Sequence, residues 1–493
     1  MIELSAAEIA AITAGSLSGE IDTAATVTAA TVDSREANGS SVFIAKPGET
    51  TDGHLYIDQA IEAGAPFVLA ERVTKDAQRN PHPAILVEDV VTAMGQLAAE
   101  IVRRIRAHSP TTVIAMTGSA GKTTTKDLLA AICAAAGPTV APIGSYNSEV
   151  GLPLTVFEAE LDTRYLVLEM GATGLGHLEY LVGLIPPDVA IVLNVGHAHA
   201  GEFGSQANIA TAKAEILSTL TSAQTAILNF DDSFVRDMAA KTNGQVCYVS
   251  ADANRWEAIP TEQKMVALNP RLDQTLQLGT GLRSTISGQS EETDYFSTAL
   301  LGEHHIHNVL AAAAAAQAAG LSLEHIVEAL SGRGPASRWR MERQEREDGL
   351  LVINDAYNAN PESMRAALKA VAQLGRDTGR RTWAVMGEMK ELGEESRAAH
   401  ADLGETVVRL NISQLLVIGE GAKPAYNAAI LEGSWGSEAY YVEDIAAAEA
   451  LLNERVRPED IVLLKASNSV GLGPLGDRLA GRGTDEQTET KEQ

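Results

Sequence analysis

The chain has 493 residues, with 38 Lys and Arg against 65 Asp and Glu for a formal net charge of −27. At about 150 residues per domain this length predicts three domains, and a 45% hydrophobic share with 21% charged residues excludes a disordered chain. So negative a protein repels a polyphosphate backbone, which excludes nucleic acid as a partner and requires any bound phosphate to be held locally.

Residues 1–108 combine short strand-like runs at 41–45, 66–70 and 84–87 with two helical stretches, and close on a basic helix around Arg103 to Arg106. Ser5 and Glu8 read as a helix capping box, where a signal peptide would carry lysines. Ser109-Pro110 then punctuates the chain. Through 109–333, apolar runs at 113–116, 165–170, 189–195 and 225–229 alternate with helical periods, ending on an Ala-rich helix at 311–319. That alternation predicts a mostly parallel sheet with helices on both faces. Gly332-Arg333-Gly334-Pro335 reads as a second linker. From 334 to 480 the alternation restarts, with strands at 350–354, 382–386, 414–418 and 461–464, as a smaller Rossmann-like unit. Residues 481–493 are polar and read as a disordered tail. The expected fold class is α/β in three domains: a small N-terminal domain, a central phosphate-binding domain and a C-terminal domain.

No run of about 18 apolar residues is available to span a membrane. The two cysteines, Cys133 and Cys247, build neither a disulfide framework nor a metal-ligand spacing. A reducing compartment follows, and the expectation is a soluble, cytoplasmic monomer.

The strongest local signal is Thr117-Gly118-Ser119-Ala120-Gly121-Lys122-Thr123-Thr124, set between an apolar strand and a long helix. Its glycines let backbone N–H groups close around phosphate oxygens, the helix N-terminus adds its positive end, and Lys122 reaches the terminal phosphates. Thr123 is then placed to ligate magnesium. Met116 stands where the strict phosphate-loop pattern has its first glycine. Ligands of open α/β sheets bind outside the carboxyl ends of the strands. Glu169 ends one such strand and His199 follows another, so both become candidate metal or catalytic groups.

Two decoys are set aside. His304, His305 and His307 do not point one way on a helix, and no fourth ligand completes a zinc tetrahedron. Gly471-Leu472-Gly473-Pro474-Leu475-Gly476 fits a dinucleotide fingerprint formally, but the chain ends before a second strand and its ribose-binding acid could follow.

Taken together these residues resemble the Mur ligases, ATP-dependent enzymes that build the peptide of cell-wall precursors. The phosphate loop has the form that family uses. Asp33-Ser34-Arg35, 42–45 and Asp52-Gly53-His54 resemble its uridine-nucleotide-binding domain. Asn194 to His199 matches the N-x-x-x-x-H element, and Ala212-Lys213-Ala214-Glu215-Ile216 matches the segment whose lysine is carbamylated in relatives. Gly302 to Asn308 resembles the adenine-side element G-x-H-N-x-x-N, with His305 in place of its first Asn. Asp355 to Met364, Gly387 to Gly393 and Asn147 to Thr155 resemble the branch of the family that adds D-alanyl-D-alanine, with Ser148 replacing a second Asn.

The resemblance implies a ligase that joins D-alanyl-D-alanine to a UDP-N-acetylmuramoyl-tripeptide through an acyl phosphate. It implies ATP and two magnesium ions as cofactors, with Thr123, Glu169, His199 and a carbamylated Lys213 as the metal set. Lys122, Lys213, His199 and Glu169 are the implied catalytic residues. Residues 118–124, Asn308, Arg340, Asp355 and Asn358 are implied to hold the nucleotide, with Arg338 an alternative to Arg340. Ser34, Arg35, Asp52, His54, Asn147, Ser148 and Lys465 are implied to bind substrate. Two other readings stay open: a folate-polyglutamating type of ligase, and a regulatory ATPase that makes no amide.

Overall fold

The computed structural model describes residues 1–48, 51–142, 144, 146–196, 205–433 and 438–482. His199 and residues 483–493 of the expected tail lie outside the described residues.

The capping box forms as the first residues predict: Ser5 accepts from the Glu8 amide and Glu8 from the Ser5 amide, opening the helix Ala6–Ile12. A five-stranded sheet follows, ordered Ser16–Ser18, Ala84–Leu86, Val68–Ala70, Ser41–Ile44, Ala29–Thr31 and antiparallel only at its first pair. The helix Val90–His108 leads out of this domain, capped by Asp89 and amphipathic along its length. Arg106, in its last turn, bonds Asp188 at 2.7 Å, and the apolar face of the helix joins the core under the central sheet.

The central sheet is built around the strand Thr112–Thr117, with Tyr165–Glu169 and then Thr139–Val140 on one side. On the other side lie Val189–Val192, Thr225–Asn229, Gln245–Ser250 and Lys264–Leu272, every pair so far parallel. Along Thr112–Thr117 the side chains alternate between two cores: Val113 and Ala115 face one, Ile114 and Met116 the other. Both faces are therefore covered, as a parallel sheet requires. Beyond Lys264–Leu272 the sheet turns antiparallel through Gln277–Ser284, which pairs with both Glu291–Glu292 and Phe296–Leu301. The alternation of apolar runs does not reveal these last strands. The Ala-rich helix runs over Ile306–Ala318, starting before its alanines, and packs its small side chains against the strands.

The C-terminal sheet is ordered Glu342–Glu345, Leu351–Asn354, Ile461–Lys465, Thr382–Met386, Gln414–Ile418, Ala439–Val442, parallel except at its first pair. Separate cores cover its two faces. The three-domain α/β expectation holds.

Candidate active site

The chain leaves the strand Thr112–Thr117 and enters the helix Lys122–Ala136 through the glycine-rich loop. Gly121 caps that helix at φ +83, and a Cβ there would lie 2.3 Å from the Asn308 amide nitrogen. Glycine is required twice over, by backbone conformation and by space. Asn308 Nδ2 donates to the Gly121 carbonyl and to Thr125 Oγ1, both at 2.9 Å, so the helix Ile306–Ala318 braces the loop from behind. From the other side Asn194 Oδ1 accepts from the Ala120 amide at 2.9 Å, and its Nδ2 donates to the Ala120 carbonyl at 3.0 Å. The loop lies at the carboxyl end of the strand Thr112–Thr117, between Tyr165–Glu169 and Val189–Val192, the end of the sheet at which open α/β sheets bind ligands.

The neighbouring strand delivers Glu169, only 1% exposed, to the same place. Thr123 Oγ1 donates to its Oε2 at 2.9 Å and Asn147 Nδ2 to its Oε1 at 2.8 Å. Lys122 Nζ donates to the Gly118 carbonyl at 2.8 Å, folding the side chain back over the loop. Burial lowers the Lys122 pKa, opposed by Glu169 and helped by Arg340. Lys213, at the end of the helix Gln206–Ala214, is 6% exposed. Burial first and the charge of Lys122 second lower its pKa to about 7.

All of these residues except Thr125 line one cavity of about 730 Å³, and the C-terminal domain closes its far side. Ser119, Thr124 and Ser148 line it as well. From the C-terminal domain come Arg340, Asp355, Asn358 and Lys465. Lys465 is 3% exposed; its Nζ lies 2.6 Å from Asp355 Oδ2 and 2.9 Å from the Asn358 carbonyl. Asp355 Oδ1 also accepts from the Met341 amide at 3.0 Å. The two candidate arginines separate here. Arg340 lies 4.3 Å over the Tyr357 ring inside the cavity, whereas Arg338 bonds Asp477 at 2.7 Å within the C-terminal domain.

The residues expected to bind the uridine nucleotide are placed elsewhere. Ser34, Arg35, Asp52 and His54 belong to the N-terminal domain and do not line this cavity. Ser34 Oγ bonds Gln59 at 2.9 Å. His54 bonds Asp52 through Nδ1 and accepts the Glu71 amide at Nε2. Arg72, then His54, hold the Asp52 carboxyl well below the usual carboxylate range. Arg35 is exposed and pairs with Asp33.

The histidine trio divides: His305 is buried against Asn308, the His304 ring lies 4.0 Å from that of His305 at a tilt of 40°, and His307 bonds Asp231 at 2.9 Å. Among the described residues no cluster of His, Cys, Asp and Glu is arranged to hold a metal ion by itself. Sequence reasoning missed Asp231, which also accepts from Ser250 Oγ and the Ala251 amide and lines the cavity. Its signal was available, since it follows the strand Thr225–Asn229 at its carboxyl end.

The arrangement is matched by known proteins. The models of the Mur ligase family catalytic domain, the Mur ligase middle domain and the Mur ligase glutamate ligase domain match residues 26–101, 116–316 and 339–468. The UDP-N-acetylmuramoyl-tripeptide–D-alanyl-D-alanine ligase of Mycobacterium tuberculosis is 40% identical, covering 98% of this chain and 99% of its own. A crystal structure of MurF from Acinetobacter baumannii superposes with a TM-score of 0.82 at 29% identity, over 97% of this chain and 99% of that one. MurF from Thermotoga maritima, solved in complex with ADP, gives 0.75 at 26% identity over 92% and 97%. Sequence and shape are thus shared along nearly the full length of the chain and of these relatives: the chain belongs to the Mur ligase family, in its MurF branch.

Proposed function

We propose that this protein joins D-alanyl-D-alanine to a UDP-N-acetylmuramoyl-tripeptide with ATP, in the synthesis of peptidoglycan precursors. The observation that carries the reading is the single cavity in which the phosphate loop meets Arg340, Asp355 and Lys465 from the facing domain. The substrates are those after which the related ligases are named.

A carboxylate is a poor electrophile, so the γ-phosphoryl of ATP is first transferred to the tripeptide's terminal carboxylate, releasing ADP. The dipeptide amine attacks the resulting acyl phosphate, the C–O bond breaks through a tetrahedral intermediate, and inorganic phosphate leaves as the amide forms. Two anions must approach within about 3 Å, so neutralising charge is the main catalytic task. The loop amides and Lys122 receive the triphosphate. Arg340 brings a cation from the opposite side, its plane fixed by the Tyr357 ring. Lys465 is already shared with Asp355, and a dipeptide carboxylate bound there exchanges for part of that contact. Asn308 and Asp231, which line the cavity, are proposed to meet the nucleoside, and Arg35 is proposed to meet the uridine nucleotide.

The donor set suits magnesium: a buried carboxylate and a threonine hydroxyl already meet at 2.9 Å beside the phosphate loop. Thr123, Glu169 and His199 would hold the metal, with Lys213 as a carbamate. When bound, magnesium neutralises charge on the phosphate oxygens. Lys213 is suited to carbamylation because its lowered pKa supplies free amine near neutrality. The neutral amine attacks the carbon of CO₂ and loses one proton to give an anionic carbamate; counted from the ammonium form, two protons are released and a cation has become an anion.

The test is a phosphate-release assay with product mass. Amide product and stoichiometric phosphate are expected only when ATP, UDP-linked tripeptide and D-alanyl-D-alanine are all present. Phosphate release independent of the dipeptide would instead support a regulatory ATPase.

A further inference from the structure

Outside the cavity, one turn below Lys122 on the same helix, Lys126 and Asp127 form an ion pair at 2.7 Å with both side chains about 4% exposed. Burying two charges is costly unless their remaining hydrogen-bonding capacity is used, and here it is used on two distant segments. Lys126 Nζ donates to the Pro142 carbonyl at 2.7 Å and lies 3.4 Å from that of Gly144, on the loop that leads to Asn147. Asp127 accepts the Ser337 amide at Oδ2, 2.8 Å, and the Ser337 hydroxyl at Oδ1, 3.1 Å. Ser337 lies on the connection between the central and C-terminal domains.

The next residues hold to the other side. Arg338 Nη2 and Trp339 Nε1 both donate to Asp477 Oδ2, at 2.7 and 2.9 Å, and the Trp339 carbonyl accepts the Tyr357 amide at 3.1 Å. On the near side Gly332 and Arg333 pair with Ser297 and Ala299 of the central sheet. The change of allegiance therefore falls between Ser337 and Arg338. Trp339 and Met341 carry φ +58 and +52, a conformation that side chains adopt only when their surroundings enforce it. Arg340 sits between those two residues.

The geometry points to Asp127 as the fixed end of the interdomain hinge. Its carboxylate pins Ser337 to the helix that starts at the phosphate loop, so that the C-terminal domain turns about the Ser337–Arg338 junction and delivers Arg340 to the nucleotide. Asp127 and Ser337 are positioning residues, for neither lines the cavity. A pivot anchored on the phosphate-binding helix keeps the distance from Lys122 to Arg340 reproducible through each closure.

The kinetic arm of the test rests on the proposed reaction and the scattering arm does not. The full chain is measured by small-angle X-ray scattering with and without AMP-PNP and magnesium, and by steady-state kinetics. Ser337→Ala removes one hydroxyl and keeps the fold. It is expected to lower kcat about tenfold, the worth of one hydrogen bond to a charged group, with KM for ATP within about twofold because the loop is intact. Nucleotide-induced compaction should shrink in the same variant. Asp127→Asn is expected to lower kcat further, and the double variant to be no worse than Asp127→Asn alone, since both act through one contact. Wild-type compaction in Ser337→Ala, with or without a fall in kcat, would overturn the hinge assignment. If the unaltered protein makes no amide, the proposed reaction fails and scattering alone decides the pivot.

Discussion

Lys213 lies within electrostatic reach of Lys122 in the cavity that both line, and burial together with that neighbouring charge brings its ammonium down to a pKa of about 7. Two lysines lining one cavity, Lys213 buried and Lys122 partly buried, are mutually unfavourable while both are charged. Converting one to a carbamate turns the repulsion into attraction.

The first prediction concerns that conversion. Lys213→Ala is expected to lose at least about 100-fold in kcat, the scale of a lost electrostatic group in a catalytic site. A short-chain carboxylic acid should restore part of it by standing in for the carbamate. Turnover is measured with and without added acetate or propionate; absence of rescue leaves the carbamate without support.

The second follows from the sign of the same shift. An unfolded lysine titrates near about 10.4, so from about pH 7 upward the unfolded chain holds a proton that the folded protein has released. Stability attributable to this group therefore rises with pH across that window, and the buried charge opposes folding in full below it. In CO₂-free buffer, Lys213→Met is expected to raise Tm at pH 6 and to raise it less at pH 9. Equal shifts at both values would contradict the burial of a charged lysine.

The third concerns Glu169 and Lys122. Glu169→Ala and Lys122→Ala are expected to abolish measurable ligation, with losses of about 1,000-fold or more. Far-ultraviolet circular dichroism should stay native in both. Near-normal turnover in either purified variant overturns its assignment.

The fourth separates the two arginines. Arg340→Ala is expected to lower kcat about 100-fold with little change in KM for the tripeptide, because the cation acts where charge develops. Arg338→Ala loses a partly exposed pair with Asp477 and should cost about tenfold less in kcat than Arg340→Ala. Steady-state kinetics on both variants decide it.

The fifth concerns the loop itself. Gly121→Ala places a Cβ against Asn308 at φ +83, and is expected to destabilise the protein by about 1–3 kcal/mol and to weaken nucleotide binding. Denaturant unfolding and ADP titration measure the two effects. Asn308→Ala removes both of its braces and should weaken ADP binding without the backbone strain.

Much of the fold was legible because parallel strands buried on both faces announce themselves as apolar runs: 113–116, 165–170 and 382–386 all correspond to strands. Lys264–Leu272 and Gln277–Ser284 were not. The first is half exposed beyond Ala267 and contains Asn269 and Pro270, so its residues lack both a continuous run and an alternation. Glu342–Glu345 is wholly polar and becomes a strand only because Leu351–Asn354 offers it an edge. In the site, residues 117–124 and Glu169 could be read from the sequence because their chemistry depends on local spacing and strand ends. Asp231 obeys the same rule and was overlooked beside stronger motifs.

By itself the sequence determined the glycine-rich loop between strand and helix, the alternating layers and the family, since each is written in residues adjacent or regularly spaced along the chain. Only the tertiary structure decided which of Arg338 and Arg340 enters the cavity, that Asn308 braces Gly121 across 187 residues, and that Asp127 meets Ser337 across 210. The physical reason is that a hydrogen bond or a buried charge depends on distance in space, and no local pattern records which distant segments the packing of the cores brings within about 3 Å.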